Sequence, residues 1–424
     1  MVGAGPAGTS AALTMAKGGL SVALIERGES PGAKNVFGGV VYKWPLEEMI
    51  PKFWEKAPIE RKIIDHRMVI LGKDSGFSVS YKDDYLGMET RGGFTALRSR
   101  FDPWFAQQAE EAGATLVTSM PVSEVIEEGG RVVGIRAGRG KENELYAQAI
   151  VAADGVMSTV LQKAGIRGPP AAEDVAIGLK EVIELPSDTI ESRFNLKRGY
   201  GARLDYLGSV ARGKSGGGFV YTNSNTLSVG IAVLLSHLLE LRCKPYEILD
   251  EFKSHPVVAP LLEGGRVKEY QAHLIPEGGL QSIPPLASRG VLAVGDAAML
   301  CLYPEGTNMA MASGVMAGKT ILESKKTGDF SIQRLMLYER LMKESYIFKE
   351  HSRKKNYHNV LTSGDRFNTD YPDAITEIMR NILVVDGVDR GTKHAAARKV
   401  IRDKVGYVRV LRDLYRDIWS ALPW

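Results

Sequence analysis

Met1-Val2-Gly3-Ala4-Gly5-Pro6-Ala7-Gly8, followed after seventeen residues by Glu26, is the stretch that decides the fold. The three glycines have separate jobs. Gly3 permits a tight strand-to-helix turn, Gly5 lets the backbone approach a pyrophosphate, and Gly8 lets the following helix pack close to the sheet. Thr9 to Lys17 reads as that helix, ended by Gly18-Gly19, and Leu20 to Ile25 reads as the next strand. The helix N-terminus offers unpaired N–H groups and a favourable dipole to the phosphates. Glu26, at the strand tip, can accept the hydroxyls of an adenosine ribose. Gly3, Ala4, Gly5, Pro6, Ala7, Gly8, Glu26 and the adjoining Arg27 are therefore candidate dinucleotide contacts. Only Met1 and Val2 precede Gly3, whereas a strand has about five residues, so the first strand is expected to begin upstream.

Working outward, the chain has 424 residues, enough for two or three domains. Hydrophobic content of 44% and charged content of 25% are ordinary for a globular protein. Cys243 and Cys301 are the two cysteines, too few for a zinc site or an iron–sulfur cluster. Their usage suits a reducing compartment. No apolar run reaches the roughly 18 residues needed to span a bilayer, and no signal peptide precedes the glycine motif.

The net charge is +4, but Arg390 to Arg416 holds nine Lys/Arg against Asp403 and Asp413, so the remainder is net negative. Starting within it, Tyr407/Val408, Val410/Leu411, Leu414/Tyr415, Ile418/Trp419 and Leu422 form an apolar stripe at helical spacing. That stripe either packs on the body of the protein or meets a membrane surface or a partner.

Strand and helix patterns alternate to about residue 165. Residues 171–281 are richer in strands, among them Val175–Ile183, Gly217–Thr222 and Leu227–Leu234. The expected fold is α/β: a Rossmann-like dinucleotide domain with an inserted, mostly antiparallel β-sheet domain and a helical C-terminal region. The expected bounds are 1–70 with 93–170 and 282–330 for the first domain, 71–92 with 171–281 for the second, and 331–424 for the helical, basic region.

Gly295-Asp296-Ala-Ala298 follows a buried strand and leads into Pro304-Glu305-Gly306-Thr307-Asn308 and a small-residue helix through Gly318. An acid at a strand tip can bind a ribityl hydroxyl, and a helix N-terminus near Gly306 favours negative charge. This pairing resembles the second FAD fingerprint of glutathione-reductase-type flavoproteins. Ile150-Val-Ala-Ala-Asp154-Gly155 resembles the Asp-Gly motif of their hydroxylase-like branch. The resemblance implies FAD as cofactor, a phosphate role for Arg98 and an adenine-side role for the Val122 backbone.

The resemblance narrows at Glu26-Arg27-Gly-Glu-Ser-Pro-Gly-Ala-Lys34-Asn35-Val-Phe37-Gly38-Gly39, which is similar to the FixC family of flavoprotein:quinone oxidoreductases. Leu97-Arg-Ser-Arg-Phe-Asp102, Gly178 to Pro186, Gly217 to Ser228 and Ala272 to Gly279 agree with it, and the similarity covers essentially the whole chain. It implies electrons taken from a two-subunit electron-transfer flavoprotein and passed to a membrane quinone, in some relatives within an electron-bifurcating complex. It also implies a separate ferredoxin-like iron–sulfur subunit, no nucleic acid, and a cytoplasmic location with peripheral contact on the cytoplasmic face of the membrane.

Quinone reduction consumes two protons, so a donor is required. Lys34 and Asn35 in the loop and Glu305 beside Gly306 are the catalytic candidates. Gly38 and Gly39 join the cofactor contacts, and Tyr303 and Phe37 are candidates for an apolar quinone pocket. His273 and Cys301 read as structural residues. Three competing readings are a geranylgeranyl-reductase-type isoprenoid reductase, a nicotinamide-dependent aromatic hydroxylase and a pure FAD relay subunit.

Overall fold

Ile150-Val-Ala152 and Val291-Leu-Ala293 are apolar without alternation, as strands buried on both faces must be, and they pair in parallel with every residue buried. The computed structural model that contains them describes residues 1–33, 39–89, 91–138, 143–356, 358 and 365–413. It divides into two compact units, Met1–Lys62 with Leu86–Val175 and Leu274–Arg353, and Ile63–Tyr85 with Ala176–His273 and Lys354–Trp424. The C-terminal segment from 331 is thus shared between the units, dividing after Arg353. The strand Arg61–Leu71 crosses from one unit to the other between Lys62 and Ile63.

The first unit is the dinucleotide frame. Ala23–Ile25 pairs in parallel with Thr115–Val117. Val2 alone stands for the first strand, bridging Ile25 on one side and Ala152 on the other. Its neighbours secure it: Val2 N donates to Val151 O at 3.0 Å, and Gly3 N to Ile25 O at 2.7 Å. The expected six-residue strand to Ile25 is shorter, because only Ala23–Ile25 has a partner of matching length.

Two helices pack where the sequence places small residues. The helix Pro6–Lys17 lies against Thr307–Thr327. A Cβ on Gly314 would come 2.1 Å from the Ala7 carbonyl oxygen, and one on Gly318 would come 2.8 Å from Thr14 Cβ. The Arg98–Glu111 helix is anchored by the fully buried rings of Phe101 and Phe105, with Phe94 6.1 Å from Phe101.

The second unit is antiparallel, as its succession of strands suggests. Val175–Glu184 pairs with Thr226–Leu234, which pairs with Gly216–Thr222, which pairs with Tyr200–Gly208. Arg61–Leu71 follows Tyr200–Gly208 in the order and pairs with Gly76–Lys82. One sheet face carries Leu179, Leu204, Val220 and Ile231 and is covered by Phe194, Leu238, Ile248 and Phe252 from three helices. A smaller cluster, Ala374, Val400 and Val405, joins the C-terminal helices Asp370–Leu383 and Arg390–Val400. Val410 of the Tyr407–Asp413 helix packs on it, while Val408 and Leu411 are exposed. The rest of the apolar stripe, Leu414 to Leu422, lies outside the described residues.

Gly314→Ala is expected to destabilise the fold by about 1–3 kcal/mol, because the added methyl meets backbone that cannot rotate away. Urea unfolding of the variant beside the wild type measures it; an unchanged midpoint would show that the two helices separate freely.

Candidate functional site

The glycine turn keeps the roles its spacing implies. Gly3 has φ +98°, and a Cβ there would lie 2.3 Å from Ala153 O. A Cβ on Gly8 would lie 1.9 Å from Gly3 O. Gly5 differs: its nearest neighbour would be Arg98 Nη2 at 3.9 Å, so open space lies over its backbone. No side chain caps the Pro6–Lys17 helix at Gly5.

Glu26 closes this turn. Its Oε2 accepts from Ala4 N at 3.0 Å and its Oε1 from Gly28 N at 2.7 Å. A carboxylate has about four lone-pair sites, so it retains capacity for further donors. Arg27 is exposed. Ser119 N and Met120 N donate to Gly28 O and Glu26 O, which brings the start of the Val122–Glu128 strand close to the acid. Gly39 is buried and its carbonyl accepts from Ala96 N. Lys34, Asn35, Phe37 and Gly38 lie outside the described residues.

Arg98 stands beside Gly5 and is held by Asp102, with Nε to Oδ1 at 2.5 Å and Nη2 to Oδ2 at 2.6 Å. Both side chains are buried. Burial pushes the Asp102 carboxyl up while the Arg98 charge pulls it down. Asp102 was missed by motif reading, although its position one helical turn after Arg98 is the spacing at which two side chains meet.

Asp154 is already engaged. It accepts from Ser158 Oγ at 2.5 Å and from Val160 N at 3.0 Å, so one oxygen holds the capping residue Ser158 and the other takes an N–H of the Thr159–Lys163 helix. Gly155 beside it has φ +81°. Asp296 is the opposite case: no hydrogen bond to its carboxylate exists among the described residues. Burial lifts it from 3.8 to about 6, against the pull of Arg98. Gly295, with φ +57°, sits where a Cβ would be 2.8 Å from Ala7 Cβ, and its N–H donates to Ser313 Oγ at 2.9 Å. The strand tip, the glycine turn and Arg98 therefore converge.

Gly306 precedes the Thr307–Thr327 helix with no side-chain cap, and Thr307 and Asn308 are buried. Glu305 accepts from the Asn308 amide nitrogen and from the Tyr346 hydroxyl. Tyr346 was not anticipated, since no local motif points to a residue 41 positions away. Tyr303 is 42% exposed, and burial pushes the Cys301 thiol well above its usual value. His273 falls on the Arg266–Pro276 strand of the other sheet.

These residues suit a flavin dinucleotide. The backbone over Gly5 is open, two helix N-termini are uncapped, Arg98 supplies positive charge, and Asp296 offers a half-buried acceptor with no hydrogen-bond donor among the described residues.

The second unit has a cleft of ≈570 Å³ lined in part by Leu71, Val210, Phe252, Arg212, Glu251 and His255. Arg212 is clamped there by Glu251. More suggestive is the sheet face opposite the apolar cluster. Phe219 and Tyr221 stack at 4.9 Å there, Arg203 lies 5.7 Å over the Tyr221 ring, and Arg203 pairs with Asp205 at 2.7 Å. A Cβ on Gly230 would lie 2.4 Å from the Phe219 ring, so glycine seats that ring. Burial, aided by Arg203, holds His66 below its usual value.

Comparison with known proteins finds three matched regions along the chain. Residues 1–167 match the family described as FAD dependent oxidoreductase, 175–275 match ETF-QO, ubiquinone-binding, and 357–422 match the ETF-QO/FixC family C-terminal domain. Protein FixC of Bradyrhizobium diazoefficiens is 39% identical over 98% of this chain and 97% of its own length. Protein FixC of Escherichia coli K12 is 38% identical over 97% of this chain and 96% of its own. Among solved structures, a geranylgeranyl bacteriochlorophyll reductase-like protein from Thermoplasma acidophilum superposes with TM-score 0.73 and 25% identity, covering 98% of this chain and 97% of its own. The flavin-dependent brominase Bmp2 shares the fold at TM-score 0.64 and 15% identity, covering 98% and 97%. The glycine turn, the Asp296 strand tip and a full-length likeness at this identity lead to one conclusion: the chain belongs to the FixC family and is an FAD-dependent oxidoreductase linked to quinone.

Proposed function

We propose that this chain takes electrons from a two-subunit electron-transfer flavoprotein and passes them to a membrane quinone, as the quinone-reducing branch of an electron-bifurcating complex. The observation that carries this reading is the presence, on one chain, of the FAD frame and the ubiquinone-binding region, with FixC likeness along nearly its whole length. When bound, FAD supplies the redox chemistry, and the protein supplies binding, orientation and electrostatics.

In this reading Gly3 to Gly8 and the uncapped helix behind them hold the pyrophosphate, with Arg98 fixed by Asp102 as the neutralising charge. Glu26, Arg27 and Val122 serve the adenosine end. Asp296, beside Gly295, accepts from a hydroxyl of the ribityl chain. The amides of Thr307 and Asn308 after Gly306 favour negative charge on the reduced ring. Asp154 and Gly155 act through the turn they shape, and Gly38 and Gly39 complete the loop. Lys34, Asn35 and Glu305 handle the protons that quinone reduction consumes.

Cys243 and Cys301 cannot ligate a four-iron cluster, so such a cluster belongs on a separate ferredoxin-like subunit. No helix among the described residues is long and apolar enough to cross a membrane. Contact with the lipid that holds the quinone is then peripheral, on the cytoplasmic face, through the basic segment 390–416. A second reading, isoprenoid double-bond reduction, is favoured by the likeness to the geranylgeranyl bacteriochlorophyll reductase-like protein.

The deciding experiment is anaerobic. Quinol is expected from NADH and a short-chain quinone only when the electron-transfer flavoprotein accompanies this chain. Reduction of its flavin directly by NADH or NADPH in the isolated chain would sink the reading and favour the reductase.

Asp296 generates a second test. A hydroxyl donating to its carboxylate favours the ionised form, so FAD binding lowers its pKa and releases a proton. Affinity of the cofactor-free protein for FAD is expected to climb as pH rises through about 6 and then level off. Asp296→Asn should flatten that rise and weaken binding above pH 7 roughly tenfold, as fluorescence titration would read. A pH-independent wild type would remove Asp296 from the site.

A further inference from the structure

Asn308 is 1% exposed, in the first turn of the 21-residue Thr307–Thr327 helix. Its amide nitrogen donates to Glu305 Oε2, and the Tyr346 hydroxyl donates to Glu305 Oε1. An ionised carboxylate only accepts, so the Asn308 amide has one orientation: nitrogen toward Glu305, oxygen away from it. That oxygen, Oδ1, is buried with no hydrogen-bond partner among the described residues. A buried amide oxygen without a donor is costly to keep. The helix terminus that holds it otherwise presents N–H donors, so Oδ1 is a single fixed acceptor among donors.

We propose that Glu305, steadied by Tyr346, is a positioning residue that locks the Asn308 amide so that Oδ1 receives an N–H or O–H donor of bound FAD. This is a different task from proton delivery. Tyr346 is 40% exposed and packs edge-on against Trp44 at 5.9 Å, so the lock is tied to the Trp44–Met49 helix. The proposal rests on the FAD assignment alone and not on the identity of electron donor or acceptor.

The test is titration of the cofactor-free protein with FAD. In Glu305→Gln the new amide can offer either end to Asn308, the orientation is no longer fixed, and the dissociation constant is expected to rise roughly tenfold. Tyr346→Phe should shift it in the same direction and by less. The swap Glu305→Gln with Asn308→Asp reverses the polarity of the pair: the glutamine donates, the aspartate only accepts, and an acceptor stands again at the Oδ1 position. The swap is expected to restore affinity to within about threefold of wild type. Wild-type affinity in Glu305→Gln, or a swap that binds as weakly as the single variant, would overturn the proposal. If Glu305→Gln does not fold, the surface change Tyr346→Phe decides: unaltered affinity overturns the lock, weakened affinity upholds it. No partner protein or quinone enters these titrations, so their outcome is separable from that of the electron-transfer assay.

Discussion

Ala7 is pressed from two sides, and the first unit depends on that pressure. Its carbonyl faces Gly314, where a Cβ would approach to 2.1 Å, and its methyl faces Gly295, where a Cβ would approach to 2.8 Å. One residue away, Gly8 meets the Gly3 carbonyl just as closely. These contacts join segments from the two ends of the FAD frame, and none tolerates a side chain larger than hydrogen. Glycine in a helix interior costs about 1 kcal/mol in propensity, so Gly314 and Gly318 weaken their own helix. The loss is offset by close packing against Pro6–Lys17, and the outcome is that two uncapped helix N-termini and one strand tip are held together.

The charges of the site follow from the same closeness. A buried arginine needs an acid, and Asp102 supplies it with two hydrogen bonds from one helical turn away. Asp296 receives no such partner, and its elevated pKa reflects desolvation that Arg98 only partly relieves. Asp154 is desolvated too, yet Ser158 and the Val160 amide share its negative charge. Three desolvated acids thus stand in three different states: one fixes a cation, one is held by the start of a helix, and one has no hydrogen-bond donor among the described residues.

The frame was legible in the sequence because its demands are local. Glycine at 3, 5 and 8, apolar runs at 150–152 and 291–293, and the strand-rich runs at 175–183, 217–222 and 227–234 each report a short-range constraint. What stayed hidden depends on contacts between distant segments. Residues 60–92 read as strand-like, but the burial of Arg61 and Asp65 on the Arg61–Leu71 strand runs against the usual polarity and no local pattern announces it. The motif that marks Asp154 as a candidate cofactor contact says nothing of the hydrogen bonds its oxygens accept from Ser158 and the Val160 amide. Tyr346 reaches Glu305 through folding of the helices between them, which no local pattern encodes.

The FAD frame cannot by itself select an electron acceptor, since a brominase and a reductase-like protein share the fold. Selection has to come from surfaces that vary around it. In the second unit, glycines at 178, 217 and 230 flatten one sheet face, on which Phe219 and Tyr221 stack beside the Arg203–Asp205 pair. Tyr221 and Arg203 are themselves buried, and the Tyr221 hydroxyl donates to Asp205 Oδ1, so this face is packed and its shape is fixed by the fold.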